Sequence, residues 1–346
     1  MIVAMKSGAT RENVASVMDL VNGYGLNALD LPGGERTAIG IASSIPPDLR
    51  EPLARMLESL DGVDHIVHVS RTYKLASREF QSADSLVQVK DVVFGGKEVI
   101  VAAGPCTIES YDQLLLTAKT VKSAGGRVLR GGAFKPRTSP YSFQGLGLDG
   151  LKMLKRVGEE VGLVTVTEVI DQHDLADVVD HADILQIGAR NMQNYPLLIA
   201  IGQSKHPVLL KRGPSATIDE WLLAAEYIMS HGNPNVILCE RGIHPLDKEH
   251  VRYTLDLSAV PVAKLLSHLP VIVDPSHACG YSRYVPAMSK AAIAAGADGL
   301  IVEIHPNPPK AVCDGAGSLN LETFTSMMNS IRAVANAVGR GIDFRL

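Results

Sequence analysis

Cys106, Lys135, Arg137, Glu168, Arg190, Lys211, Arg241, His277 and Glu303 share one property: each follows a short apolar run. The runs are 99–103, 128–130, 163–167, 184–187, 208–210, 236–239, 271–273 and 300–302. Thiol, imidazole and carboxylate groups ligate metals or move protons, whereas guanidinium and ammonium groups hold anions. Cys106, His277 and Glu303, together with Asp314, would meet if the first and last runs were neighbours, as they are in a closed barrel. One thiolate, one imidazole and two carboxylates suit a borderline divalent ion such as manganese, iron, cobalt or zinc, and their mixed softness does not choose among these. A lone cysteine after a strand is most simply a packed small hydrophobe. The metal is argued from four ligand types at converging positions.

The basic residues point to the same rim. Arg130, Lys135, Arg137, Arg190, Lys211 and Arg241 belong to the second, fourth, fifth and sixth runs. Arginine forks match carboxylate and phosphate oxygens, and lysine adds a movable point charge. One such residue on a loop is ordinarily solvated. Six on one rim suit a small substrate carrying both phosphate and carboxylate groups.

Eight apolar runs separated by helical stretches, with chemistry at one end of each, predict an α/β chain folded as a (β/α)8 TIM barrel. A plain barrel needs roughly 250 residues. The 346 residues of this chain leave room for one small extra domain. In the first 70 residues the periodicity predicts strand 2–5, helix 12–22, strand 26–31, strand 37–42, helix 49–60 and strand 63–69. This order is a ferredoxin-like α+β pattern. Thr10 is expected to cap the first helix, and Pro32, Gly33 and Gly34 to turn the chain between the central strands. His65 and His68 are expected on a half-exposed strand without chemistry of their own. The expected organisation is therefore a small domain over 1–70, a linker over 71–85 and the barrel over 86–346.

Composition narrows the function classes. With 33 basic and 37 acidic residues the net charge is −4, which gives no field for nucleic acid or an anionic membrane. Hydrophobic residues make up 46% and aromatics 5%, as in a core built from Val, Ile, Leu and Ala. No apolar run approaches the roughly 20 residues of a membrane span, and residues 2–5 are too short for a signal-peptide core, so a cytoplasmic location is expected. Four cysteines, Cys106, Cys239, Cys279 and Cys313, are too few and too scattered for a disulfide framework.

Longer motifs carry a family resemblance. Gly104-Pro105-Cys106, the stretch from Leu129 to Pro140, Gln186-Ile187-Gly188-Ala189-Arg190-Asn191, Leu210-Lys211-Arg212-Gly213, Cys239-Glu240-Arg241-Gly242, Asp274-Pro275-Ser276-His277 and Val302-Glu303-Ile304-His305-Pro306 look like 3-deoxy-arabino-heptulosonate-phosphate (DAHP) synthase. The likeness runs from about Val87 to the C-terminus. The preceding residues resemble the ACT-like regulatory domain of the branch related to 3-deoxy-octulosonate-phosphate synthase.

The resemblance implies a metal-dependent, aldol-like condensation of phosphoenolpyruvate with erythrose 4-phosphate and water, at the entry to the shikimate pathway. Arg130, Lys135, Arg190, Lys211 and Arg241 would align phosphoenolpyruvate, and Arg137 and Thr138 would hold the phosphate of erythrose 4-phosphate. A divalent ion on Cys106, His277, Glu303 and Asp314 would polarise the aldehyde. Glu168 is the candidate to orient water at C2, and Lys135 the candidate proton donor to the new alkoxide. Lys211 at a strand end also fits a Schiff-base lysine, although the surrounding arginines favour ion pairing. The resemblance further implies a homotetramer and inhibition by tyrosine or phenylalanine through the N-terminal domain. Cys279 or Cys313 is expected to pair with Cys106 on oxidation. Two alternatives stand beside this one: an octulosonate synthase using arabinose 5-phosphate, and a non-catalytic aromatic amino-acid sensor. Lys135-Pro136-Arg137-Thr138-Ser139, Gly188 to Asn191 and a cysteine at 106 follow the pattern of the metal-dependent heptulosonate enzymes.

Overall fold

The computed structural model describes residues 1–31, 37–41, 43–67, 72–136, 139 and 141–342, which divide into two compact units, Met1–Ala83 and Asp84–Leu346. The turn expected at Pro32 to Gly34, together with His68, Arg137 and Thr138, lies outside the described residues.

In the first unit the order is β1 (Ile2–Met5), α1 (Arg11–Gly23), β2 (Ala28–Leu31), β3 (Ala38–Ile41), α2 (Pro47–Glu58) and β4 (Val63–Val67). The antiparallel sheet runs β2-β3-β1-β4, the ferredoxin-like arrangement. Thr10 closes a capping box with Asn13, so the first turn of α1 has its orphan amides satisfied. Val17 and Val21, one turn apart on α1, are fully buried with Val3, Ile39, Leu53 and Leu57. Residues 72–83, within the segment expected to link the domains, belong to this unit. Lys74 Nζ donates to the carbonyls of Ile41 and Ser43 at 3.2 and 2.6 Å, and Tyr73 and Ala76 are buried.

The second unit opens with a hairpin, β5 (Val87–Val89) and β6 (Val92–Phe94), that the strand pattern did not predict. Eight parallel strands follow: β7 (Ile100–Gly104), β8 (Val128–Arg130), β9 (Val164–Val169), β10 (Ile184–Ile187), β11 (Val208–Lys211), β12 (Val236–Glu240), β13 (Val271–Val273) and β14 (Gly299–Glu303). They close into a barrel, with β14 beside β7. The alternating helices are α3 (Tyr111–Ser123), α4 (Gly147–Val161), α5 (Leu175–His181), α6 (Tyr195–Ser204), α7 (Ile218–Ser230) and α8 (Ala259–Leu266). The short α9 (Pro275–Cys279), then α10 (Val285–Ala294) and α11 (Leu321–Ala337), complete the set. A parallel sheet covered on its outer face by helices and filled inside reads as near-continuous apolar strands, which is why these runs stand out in the sequence. Val87, Val89, Val92 and Phe94 of the hairpin join the barrel core with Ile100, Val128, Val164 and Ile184, the first residues of four barrel strands. The hairpin thus fills the N-terminal end and leaves chemistry to the other.

Register fixes that other end. Glu303 pairs with Gly104 across the closing seam, and Glu168 pairs with Gln186, so strand-end side chains from different elements finish at one level. At Gly104 a Cβ would fall 1.9 Å from the Arg130 carbonyl oxygen, so the first strand can pass this close to the second only with glycine there. Gly104→Ala is expected to destabilise the barrel by about 1–3 kcal/mol through overpacking and to displace Cys106 and Arg130 together. Urea unfolding combined with a turnover assay checks this; an unchanged midpoint with full activity would show that the two strands have slack.

Candidate active site

At the C-terminal end of the barrel lies a cavity of about 180 Å³, open to solvent. Its walls include Lys135, Glu168, Arg190, Lys211, Arg241 and His277, each from a different loop or strand end, and Asp314 lies on the same cavity. Cys106, Arg130 and Glu303 are buried beneath it. Apart from Arg137 and Thr138, the residues singled out in the sequence therefore belong to one site.

The candidate ligands are assembled by short local devices. Pro275 opens α9 at the position where a missing N–H costs nothing. Asp274 caps the helix, its Oδ1 accepting from His277 N at 3.0 Å. Its Oδ2 accepts from His277 Nδ1 at 2.7 Å, which leaves Nε2 as the ligand nitrogen. Ser276 Oγ accepts from Glu303 N at 2.9 Å, tying the same turn to the last strand. His277 Nε2 then lies 3.3 Å from Glu303 Oε1, and Cys106 Sγ lies 3.4 Å from Asp314 Oδ2. Donors sharing one small dication at roughly 2.0–2.3 Å sit roughly 3.1–3.7 Å apart. Both pairs fit that spacing. The donor atoms of His277, Glu303 and Asp314 all lie within 4.8 Å of one another, as do those of Cys106, Cys313 and Asp314. Asp314 belongs to both groups and joins the four expected ligands. Cys313, expected only as an oxidation partner, is a further donor: its sulfur lies 3.4 Å from Cys106 Sγ, and of the two cysteines considered it is the one in contact.

Opposite charge offsets this crowding. Lys135 Nζ lies 3.1 Å from Cys106 Sγ, Arg130 pairs with Glu303 at 3.0 Å, Lys211 with Asp274 at 2.6 Å and Arg252 with Asp314 at 3.4 Å. Burial alone would raise the Glu303 carboxyl, but His277, Arg130 and Lys135 outweigh it and hold it below the usual carboxylate range. Burial likewise opposes ionisation of Asp274, and His277 and Lys211 hold it well below its ordinary value. The Cys106 thiol is pushed well up by its contact with Cys313, by burial and by Glu303. A divalent ion is the kind of charge that would reverse that last shift.

The remaining walls suit an anion and a water. Arg241 lies with its guanidinium 4.5 Å from the Tyr253 ring centroid, while Arg190 is exposed and donates to the Pro136 carbonyl at 3.1 Å. Glu168 accepts from Gln186 Nε2 at 3.1 Å. A Cβ at Gly188 would fall 2.1 Å from Glu168 Oε1, so glycine makes room for that carboxylate. Behind Lys211 and Arg241, Arg212 is buried between Glu240 and Asp256, both at 2.9 Å. Asp274, Gln186, Arg212 and Glu240 stood out in the sequence only as motif members without a role of their own, and Arg252 was not singled out at all. Lys211-Arg212 and Glu240-Arg241 did offer a signal, since adjacent charges at a strand end cannot all face one cavity.

Residues 69–337 match the DAHP synthetase I family and residues 1–71 match the DAHP synthase ferredoxin-like domain. A phospho-2-dehydro-3-deoxyheptonate aldolase of Thermotoga maritima is 48% identical over 339 residues, covering 98% of this chain and 99% of that protein. A crystal structure of the T. maritima phospho-2-dehydro-3-deoxyheptonate aldolase (DAHP synthase) is similar at a TM-score of 0.78 and 46% identity, over 99% of both chains. A 2-dehydro-3-deoxyphosphooctonate aldolase of Koribacter versatilis is 31% identical over 272 residues, covering 72% of this chain and 96% of that protein. With a family match across its whole barrel, the chain belongs to the DAHP synthetase I family and is an enzyme of that family.

Proposed function

We propose that this chain condenses phosphoenolpyruvate with erythrose 4-phosphate and water, yielding 3-deoxy-D-arabino-heptulosonate 7-phosphate and inorganic phosphate, in a metal-dependent reaction. The observation that carries it is the sharing of one cavity by anion-binding cations and by histidine and carboxylate donors at chelating distances. Lys135, Arg190, Lys211 and Arg241 hold the phosphate and carboxylate of phosphoenolpyruvate and so fix its C3 toward the second substrate. Arg130, one nitrogen of which serves Glu303 and the Pro105 carbonyl, contributes its other donors from below. Arg137 and Thr138 hold the distal phosphate of erythrose 4-phosphate. Cys106, His277, Glu303 and Asp314 hold one manganese, iron, cobalt or zinc ion, which when bound supplies Lewis acidity to the aldehyde oxygen. Glu168, fixed by Gln186, orients the water that adds to C2, and Lys135 delivers the proton that turns the alkoxide oxygen of the former aldehyde into a hydroxyl. Lys211 Nζ lies 2.6 Å from the buried Asp274 carboxylate, and this contact favours ion pairing over a Schiff base.

The N-terminal unit supplies inhibition by tyrosine or phenylalanine, supported by its match to the DAHP synthase ferredoxin-like domain. A coupling of about 1–3 kcal/mol, or 5–150-fold in affinity, is the usual scale for such control. Assembly as a homotetramer and a cytoplasmic location complete the proposal on the family resemblance. No helix among the described residues is long and apolar enough to cross a membrane.

Phosphate release from phosphoenolpyruvate is expected with erythrose 4-phosphate and not with arabinose 5-phosphate. The reverse preference would make the chain an octulosonate synthase, and no release with either sugar would favour the amino-acid sensor. Cys106→Ser is expected to lose tightly bound metal and nearly all turnover while keeping its circular dichroism. Full activity of the wild-type enzyme after exhaustive chelation would remove the metal from the mechanism. A chain starting at Ser85 is expected to keep synthase activity and lose inhibition by both amino acids. Inhibition with an unchanged concentration dependence would move the effector site into the barrel.

A further inference from the structure

Two loops carry candidate metal ligands toward each other, one after β7 and one after β14, and one carboxylate oxygen lies where they meet. Glu109 stands three residues after Cys106, in the loop between β7 and α3. Its Oε1 accepts from Val312 N at 2.9 Å, two residues before Asp314. The same oxygen is 3.4 Å from Nε2 of His305, two residues after Glu303. His305 Nδ1 accepts from Asn307 N at 2.9 Å, so the ring proton sits on Nε2, which is buried and makes no hydrogen bond of its own. Asp314 needs such a hold, because its backbone takes the left-handed conformation at φ 49°. That conformation is disfavoured for a non-glycine residue and persists where its surroundings impose it.

We propose that Glu109 is a positioning residue for the metal ligand set, accepting from the Val312 amide while lying against the His305 imidazole, so that Asp314 and Cys313 stay beside Cys106. The inference rests on the metal site proposed above. Glu109 touches neither substrate nor ion: it acts by fixing the loop from His305 to Asp314 against the loop that carries Cys106. Outer groups of this kind typically set metal affinity by 10–100-fold.

The test is anaerobic titration of the metal-stripped full chain with Co²⁺, read by the dissociation constant and by thiolate-to-cobalt charge-transfer absorption. Glu109→Ala is expected to weaken Co²⁺ binding by at least about tenfold and to shift the charge-transfer band. Glu109→Gln keeps an acceptor oxygen at the same reach and is expected to stay within about threefold of wild type, a rescue that nonspecific loosening would not give. Val312→Pro removes the donor instead. Ala311, at φ −60° and ψ 134°, already has the backbone that a following proline requires. It should reproduce the alanine loss, and the double variant should lose no more than the larger single loss. Wild-type affinity and an unshifted band in both Glu109→Ala and Val312→Pro would overturn the proposal, as would additive losses. Absence of Co²⁺ binding by the wild-type chain would instead overturn the metal site itself.

Discussion

One oxygen, Oδ2 of Asp274, accepts from His277 Nδ1 at 2.7 Å and from Lys211 Nζ at 2.6 Å, and the site is arranged around that shared bond. The first contact sets the imidazole so that Nε2 faces Glu303. The second holds an ammonium ion on the cavity wall where a substrate anion would lie. Asp274 is 1% exposed, so neither of its partners could be withdrawn cheaply. Removing one member of a buried pair leaves an uncompensated charge, at a cost of about 3–5 kcal/mol. The candidate metal centre and the candidate anion site are thus held by the same carboxylate.

Most of the barrel was legible because its strands are buried on both faces and therefore read as uninterrupted apolar runs. Three of the eight, β8, β10 and β13, have the boundaries that the runs predict, and the others differ by one or two residues at one or both ends. The hairpin β5–β6 was not legible in the same way. Its strands are three residues each, and its turn falls on Lys90 at φ 52°, without the glycine or asparagine that normally marks a left-handed position. In the small domain Thr10 was readable as a cap, since capping is decided within four residues.

The site was legible in its residue types and not in its pairings. Strand order places the expected ligands at one end, but the bonds that orient them join residues far apart in sequence: Lys211 with Asp274, Arg130 with Glu303, Lys135 with Cys106. Nothing local announces them. Barrel closure and parallel register create these contacts, as with Glu168 and Gln186, which oppose each other on neighbouring strands. Arg252 lies deep in the long loop after β12, where one arginine among several exposed charges carries no periodic signal.

These pairings also bear on how the basic residues act. Arg130 and Lys211 each neutralise a buried carboxylate, and Lys135 donates to the Cys106 sulfur, before any substrate arrives. Glu303 and Asp274 are nearly inaccessible to water, and only nearby positive charge makes their ionised forms tolerable there. Replacing one of these cations therefore acts twice, by removing a contact to the substrate and by changing the charge balance that keeps a ligand ionised. Loss of turnover in such a variant cannot be assigned to substrate binding until metal affinity and stability are measured on the same protein, because the effects of groups in one network do not add.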